Sequence, residues 1–103
     1  MDVNKVAFLV NEEANCWQAL RCLFGCLVGN IWCGAFIMDC AVHPPSEMED
    51  REFREHLESF VVDMEAEIFS NVRENAERYE HIRYLTIEEM VPKIRTYQLV
   101  VPF

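Results

Sequence analysis

Glycine and proline are scarce in this chain, at 3 and 4 of 103 residues. That excludes linker-like, collagenous and low-complexity classes. Positive charge is also in short supply: 9 Lys+Arg stand against 18 Asp+Glu, a formal charge of −9. Nucleic-acid binders draw much of their affinity from neutralising phosphates, so this balance excludes nucleic acid as a partner and disfavours an anionic membrane surface. The five cysteines, Cys16, Cys22, Cys26, Cys33 and Cys40, form no C-x-x-C pair, and none follows Cys40. After the first apolar run stands Asn11-Glu12-Glu13, where a nucleotide or flavin site would need a Gly- or Ser/Thr-rich loop offering N–H groups to phosphate. Met1-Asp2-Val3-Asn4-Lys5 lacks the charged-then-apolar layout of a signal peptide. A cytoplasmic chain with reduced, mostly buried thiols is expected.

Long hydrophobic runs are missing too. The longest charge-free stretch, Cys22 to Met38, has 17 residues and contains the G-x-x-x-G of Gly25 and Gly29. It only reaches the lower limit for a membrane span. Gly29-Asn30 breaks it, and Ala35-Phe36-Ile37 favours strand, so it reads as helix, turn and buried strand. No membrane association is expected.

Hydrophobic residues make up 51% of the chain, enough for one core in one domain spanning residues 1–103. Val6–Val10 is a continuous apolar run, the pattern of a strand covered on both faces. The following helix carries Trp17, Leu20, Leu23, Phe24, Leu27 and Val28 at three- and four-residue spacing, which predicts a core-facing stripe. Its other side, Gln18, Arg21, Cys22, Gly25, Cys26 and Gly29, is small and nearly uncharged, a surface that another subunit can approach closely. Ile31–Met38 is the second strand. Ser46 and Glu49 predict a capping box for a helix of about 18 residues, ~27 Å long, with Phe53, Leu57, Phe60, Val61 and Met64 as its apolar stripe. Nine of the 18 acids fall between Glu47 and Glu67, a solvated outer face.

Glu67–Ser70 predicts a third strand, Asn71–Ile82 a loop or short helix, and Arg83–Leu85 a fourth short strand. Thr86 and Glu89 form a second capping box on a helix through about Thr96, which Pro92 should kink or split. Gln98–Val101 is the last strand. Strands alternating with helices predict an α/β fold, a three-layer α/β/α sandwich around a mostly parallel sheet of four to five strands with right-handed crossovers.

Several strings resemble the DsrE/DsrF-like family of small sulfur-relay proteins: Lys5–Val10 as first strand, the helix ending at Gly29, Gly34–Asp39 as second strand, and Tyr84–Met90 leading to a Val-rich terminal strand. The resemblance covers almost the whole chain, with strings common to small α/β domains. It implies the α/β/α fold, homo- or hetero-oligomers (trimers and hexamers among them), and a sulfur-relay protein partner. Family members that carry persulfide sulfur do so on a cysteine after the middle strand. Here Ser70-Asn71 holds that place, and a serine hydroxyl cannot carry sulfane sulfur. The expectation is a binding or assembly role without covalent catalysis.

Ligands of open parallel sheets bind outside the carboxyl ends of the strands. That edge should gather Asn11 and Glu12, then Asp39, Cys40 and His43, then Ser70 and Asn71. Cys40 is the candidate nucleophile and atypical persulfide acceptor, with His43 three residues on to lower its pKa, while Asp39 and Glu12 act the other way. Glu12, Glu13 and Asp39 make an alternative carboxylate site for Mg²⁺ or phosphoryl chemistry, although the chain offers no lysine at the end of a late strand. The cysteine spacings of 6, 4, 7 and 7 match no zinc pattern, and helix and strand are expected to hold these thiols apart. No resident metal or cofactor is expected.

Overall fold

The computed structural model describes residues 4–103, so Met1–Val3 and the reading made of them lie outside the described residues. Among the described residues five strands alternate with four α-helices: β1 (Lys5–Val10), α1 (Cys16–Val28), β2 (Trp32–Ile37), α2 (Asp50–Glu58), β3 (Glu67–Ser70), α3 (Arg73–Arg78), β4 (Arg83–Tyr84), α4 (Ile87–Ile94) and β5 (Leu99–Pro102). The five strands form one parallel sheet in the order β4-β3-β2-β1-β5. Val6 sits opposite Cys33 in β2 and Leu99 in β5. No helix among the described residues is long and apolar enough to cross a membrane. The stretch from Cys22 to Met38 is helix, turn and strand, as its Gly29-Asn30 break implied.

Alternation along the strands divides the core into two layers. Val6, Phe8 and Val10 of β1, Cys33, Ala35 and Ile37 of β2 and Ile68 of β3 pack on one face beneath α1, α2 and Tyr79. Ala7, Phe36 and Phe69 point to the other face, covered by Met90 of α4 and Tyr97. This is the three-layer α/β/α arrangement. Gly34 lets Tyr97 lie on the sheet: a Cβ there would stand 2.9 Å from Tyr97 Cζ and closer still to its hydroxyl. Tyr97 packs edge-on against Phe36, and its hydroxyl donates to Glu67 Oε2 at 3.1 Å.

Local sequence explains most boundaries. α1 closes with paired bonds from Asn30 N–H to the Leu27 carbonyl and from Ile31 N–H to the Cys26 carbonyl, both 3.0 Å. Asn30 takes the left-handed conformation (φ 64°) that this closure needs. Thr86 and Glu89 complete the predicted capping box on α4. α4 runs unbroken through Pro92, the sixth of its eight residues; the carbonyl left without a donor belongs to Glu88, on the exposed side of the helix.

Three helical expectations need correction. The stripe of α1 that reaches the core is Cys16, Ala19, Leu20, Leu23 and Leu27, whereas Phe24 and Val28 remain 43% and 63% exposed. Phe24 instead lies beside Phe60, just past the end of α2, with ring centroids 5.7 Å apart. Ser46 caps nothing: Met48 N–H is taken by the Pro45 carbonyl in a turn, and α2 begins only where Phe53 N–H reaches Glu49. The predicted helix of about 18 residues is a nine-residue α2 followed by a π-helical turn, Ser59–Asp63, closed by Met64 N–H on Ser59 at 3.1 Å.

Candidate functional site

The carboxyl edge of the sheet brings together the loops after β1, β2 and β3. Asp39, two residues past β2, takes the left-handed conformation (φ 60°), and its backbone N–H meets the end of β3. There Asn71 accepts from that N–H at 2.8 Å and donates to Asp39 Oδ1 at 2.9 Å. Beneath this pair Ser70 is wholly buried, and its hydroxyl accepts from Val72 N–H and from Asn75 Nδ2. Asn75 of α3 is the hub. Its Nδ2 also donates to the Cys40 carbonyl at 2.9 Å, and its Oδ1 accepts from Val42 N–H at 2.9 Å. One buried amide therefore ties the β2–α2 loop to the end of β3.

The residues after β1 form a second group. Glu12 accepts from Asn15 Nδ2 at 3.3 Å, and Glu13 pairs with His43 Nε2 across from the β2–α2 loop. The His43 pKa is raised, first by the hydrogen bond to the Pro44 carbonyl and then by the Glu13 carboxylate. His43 thus faces Glu13, and it does not lower the thiol of Cys40. Burial, then the charges of Glu13 and Asp39, push the Cys40 thiol up, which works against a thiolate at neutral pH. Cys16 lies beside Cys40; burial, with contributions from Cys40 and Glu13, raises its pKa to about 12.

The structure thus gathers Asp39, Cys40, Ser70 and Asn71 in one place, with Glu13 and His43 bridging at its rim. Asn11 is exposed at the end of β1, with Glu12 next to it. The Mg²⁺ alternative at Glu12, Glu13 and Asp39 finds no convergent set: among the described residues no three His, Cys, Asp or Glu side chains are grouped to hold a metal ion. The strand order reverses between β1 and β5, the place that favours ligands in open parallel sheets. There Phe103 packs on Phe8 with ring centroids 6.0 Å apart, and its N–H bonds the Leu9 carbonyl.

Sequence reading missed Asn75, which sat unmarked in a polar stretch between elements. It also placed the thiols too far apart. The turn after α1 brings Cys26 next to Cys33, where burial first, then the charge and hydrogen bond of Cys26, push the Cys33 thiol to about 12. The small-residue side of α1 is open: Gln18, Arg21, Cys22, Gly25 and Gly29 are exposed, and a Cβ at Gly25 would meet nothing within 4 Å. Comparison with family models, curated proteins and solved structures finds no match.

Proposed function

We propose that this chain is a small DsrE/F-like module of the cytoplasm that works by binding and homo-oligomeric assembly, without covalent catalysis. The observation that carries the reading is the state of the strand-end polar groups. Asp39, Ser70, Asn71 and Asn75 are hydrogen-bonded to one another and to local backbone, which suits a structural closure better than a substrate site. The parallel α/β/α sandwich is the architecture that the family resemblance implies. The bare side of α1 around Gly25 supplies a surface for close subunit approach. Sulfur transfer through Cys40 draws no support from a thiol whose surroundings hold it protonated.

Light scattering on the native protein and on Gly25→Leu tests the assembly. Leu at this exposed helical position has open space and better helix propensity, so the subunit itself tolerates it. The native chain should run as an oligomer and the variant as a monomer; a monomeric native chain, or an unchanged mass in the variant, overturns the reading. Alkylation at pH 8 tests the sulfur role: Cys22, the exposed thiol, should label first, with Cys16 and Cys33 protected until unfolding. Fastest labelling at Cys40, lost in Cys40→Ser, would turn the assignment toward sulfur transfer.

A further inference from the structure

The two edges of the sheet are finished differently. At one edge β4 is two residues long and carries Arg83, and the Arg73 guanidinium lies over Tyr84, 4.2 Å from the ring centroid. Short length and charge are the usual devices that keep an edge from pairing. At the other edge β5, Leu99–Pro102, has no charged residue, and Leu99 and Val100 are 47% and 38% exposed. Its proline gives no protection. Gln98 N–H bonds the Lys5 carbonyl and Val100 lies opposite Ala7, so alternation along the ladder turns the N–H and C=O groups of Gln98 and Val100 toward β1. Pro102 falls on the same inward phase, where Phe103 N–H takes the Leu9 carbonyl in its stead. The outward phase belongs to Leu99 and Val101, whose N–H and C=O groups meet no side chain or loop among the described residues.

We propose that β5 pairs antiparallel with the β5 of a second copy, joining the two sheets about a two-fold axis at Val100. N–H and C=O groups spaced two residues apart are satisfied by an extended backbone, so the occupant is a strand. β5 itself meets that need. With Val100 opposite the partner's Val100, Leu99 falls opposite the partner's Val101, and each such pair exchanges both N–H···O bonds. The side chains match as well. Leu99 and Val101 share the α1 face of the sheet, in register with Val6 and Phe8, and Val100 meets its counterpart on the α4 face. Charge sets the direction. Lys5 and Arg95 stand at the amino end of the β1–β5 pair and Glu12 at its carboxyl end, none of them in an ion pair among the described residues. An antiparallel partner turns its Glu12 end toward Lys5 and Arg95, whereas a parallel one sets like charges together. The contact also avoids most of the acids that give the chain its charge of −9, since nine of the 18 lie between Glu47 and Glu67, in the connection from β2 to β3 on the far side of β1. A pairing this short belongs to the weak, transient class of interfaces.

This contact is separate from the α1 surface, so it is tested in a Gly25→Leu background. That chain should be monomeric when dilute and should dimerise reversibly between about 0.1 and 1 mM by sedimentation equilibrium. Amide exchange reads the pairing directly. Leu99 and Val101 N–H should exchange freely in the dilute chain and slow roughly tenfold in the dimer, while Val100 N–H, held by β1, is protected in both. Val100→Glu and Val100→Lys, at an exposed position of an edge strand, should each keep the folded circular dichroism spectrum and stay monomeric at 1 mM or about that, because like charges then face each other across the axis. Mixing the two variants in equal amounts should restore dimers, with an affinity at least about tenfold above that of either alone. The exchange measurement needs no change in β5, so it decides even where a charged edge fails to fold. Dimers that persist in both variants, a mixture that stays monomeric, or unchanged exchange at Leu99 and Val101 overturns the inference. Light scattering of the native chain and of Gly25→Leu decides the α1 reading by itself, so a failure of the β5 contact and a failure of that reading are told apart.

Discussion

Replacing Asn75 with alanine should be among the most costly single polar-to-apolar changes in this fold. The buried amide makes three hydrogen bonds, to Val42 N–H, the Cys40 carbonyl and the Ser70 hydroxyl, all at 2.9 Å. Ser70 keeps a second bond from Val72 N–H, so its loss is partial. Val42 N–H and the Cys40 carbonyl lose this partner in a region that water reaches poorly, each costing about 1–2 kcal/mol. Alanine in α3 returns up to about 0.7 kcal/mol of helix propensity. The net destabilisation is about 1.5–3.5 kcal/mol, which for a domain of this size lowers the melting temperature by about 6–14 °C. Urea unfolding followed by circular dichroism measures it, with an unchanged m-value confirming that the folded state is intact. Asn71→Ala is the control: its bonds to Asp39 lie at the exposed rim and should cost under about 1 kcal/mol. If the two substitutions cost the same, or if Asn75→Ala costs less than about 0.5 kcal/mol, the amide does not hold the loop and the reasoning fails.

Two further outcomes follow from named contacts. By NMR, the His43 titration midpoint should lie above 6.5, and Glu13→Gln should lower it without abolishing the shift, because the Pro44 carbonyl still favours the protonated ring. The linked stability is present below the unfolded value and lost as pH rises through the raised folded value; with both side chains about half exposed it is small, and a flat melting temperature between pH 5 and 8 would agree. Gly34→Ala should cost about 1–3 kcal/mol by forcing Tyr97 off the sheet. In a Tyr97→Phe background part of that cost should vanish with the hydroxyl; a double-mutant cycle showing no coupling would refute the contact.

The fold was legible where periodicity and capping spoke together. The apolar run Val6–Val10, the strand-favouring Ala35-Phe36-Ile37 and the Thr86–Glu89 box all stand where they were expected. Patterns that depend on neighbours were not legible. Leu23 is buried in phase with Ala19, Leu20 and Leu27, while Phe24 of the same predicted stripe is 43% exposed beside Phe60, in a π-helical turn that apolar spacing cannot forecast. The short α3 was legible only as one of two alternatives for Asn71–Ile82, because six residues give no usable stripe. At the strand ends the residue types were readable, but their use was not. Asp39 and Asn71 are far apart in sequence and become partners only through the parallel pairing of β2 with β3, and the buried role of Asn75 follows from that pairing. Likewise His43 was expected to serve Cys40, and the geometry turns it to Glu13 instead.

The place of β5 beside β1 has a consequence for biogenesis. During synthesis β1 can pair on one side with β2 after some thirty residues, but its other side is filled only by Leu99–Pro102. A nascent or truncated chain ending before Leu99 would carry β1 as a raw edge, with Phe8 deprived of Phe103 and its backbone open to foreign strands. Loss of Leu99–Phe103 should therefore promote aggregation far beyond what the removal of so small a segment suggests.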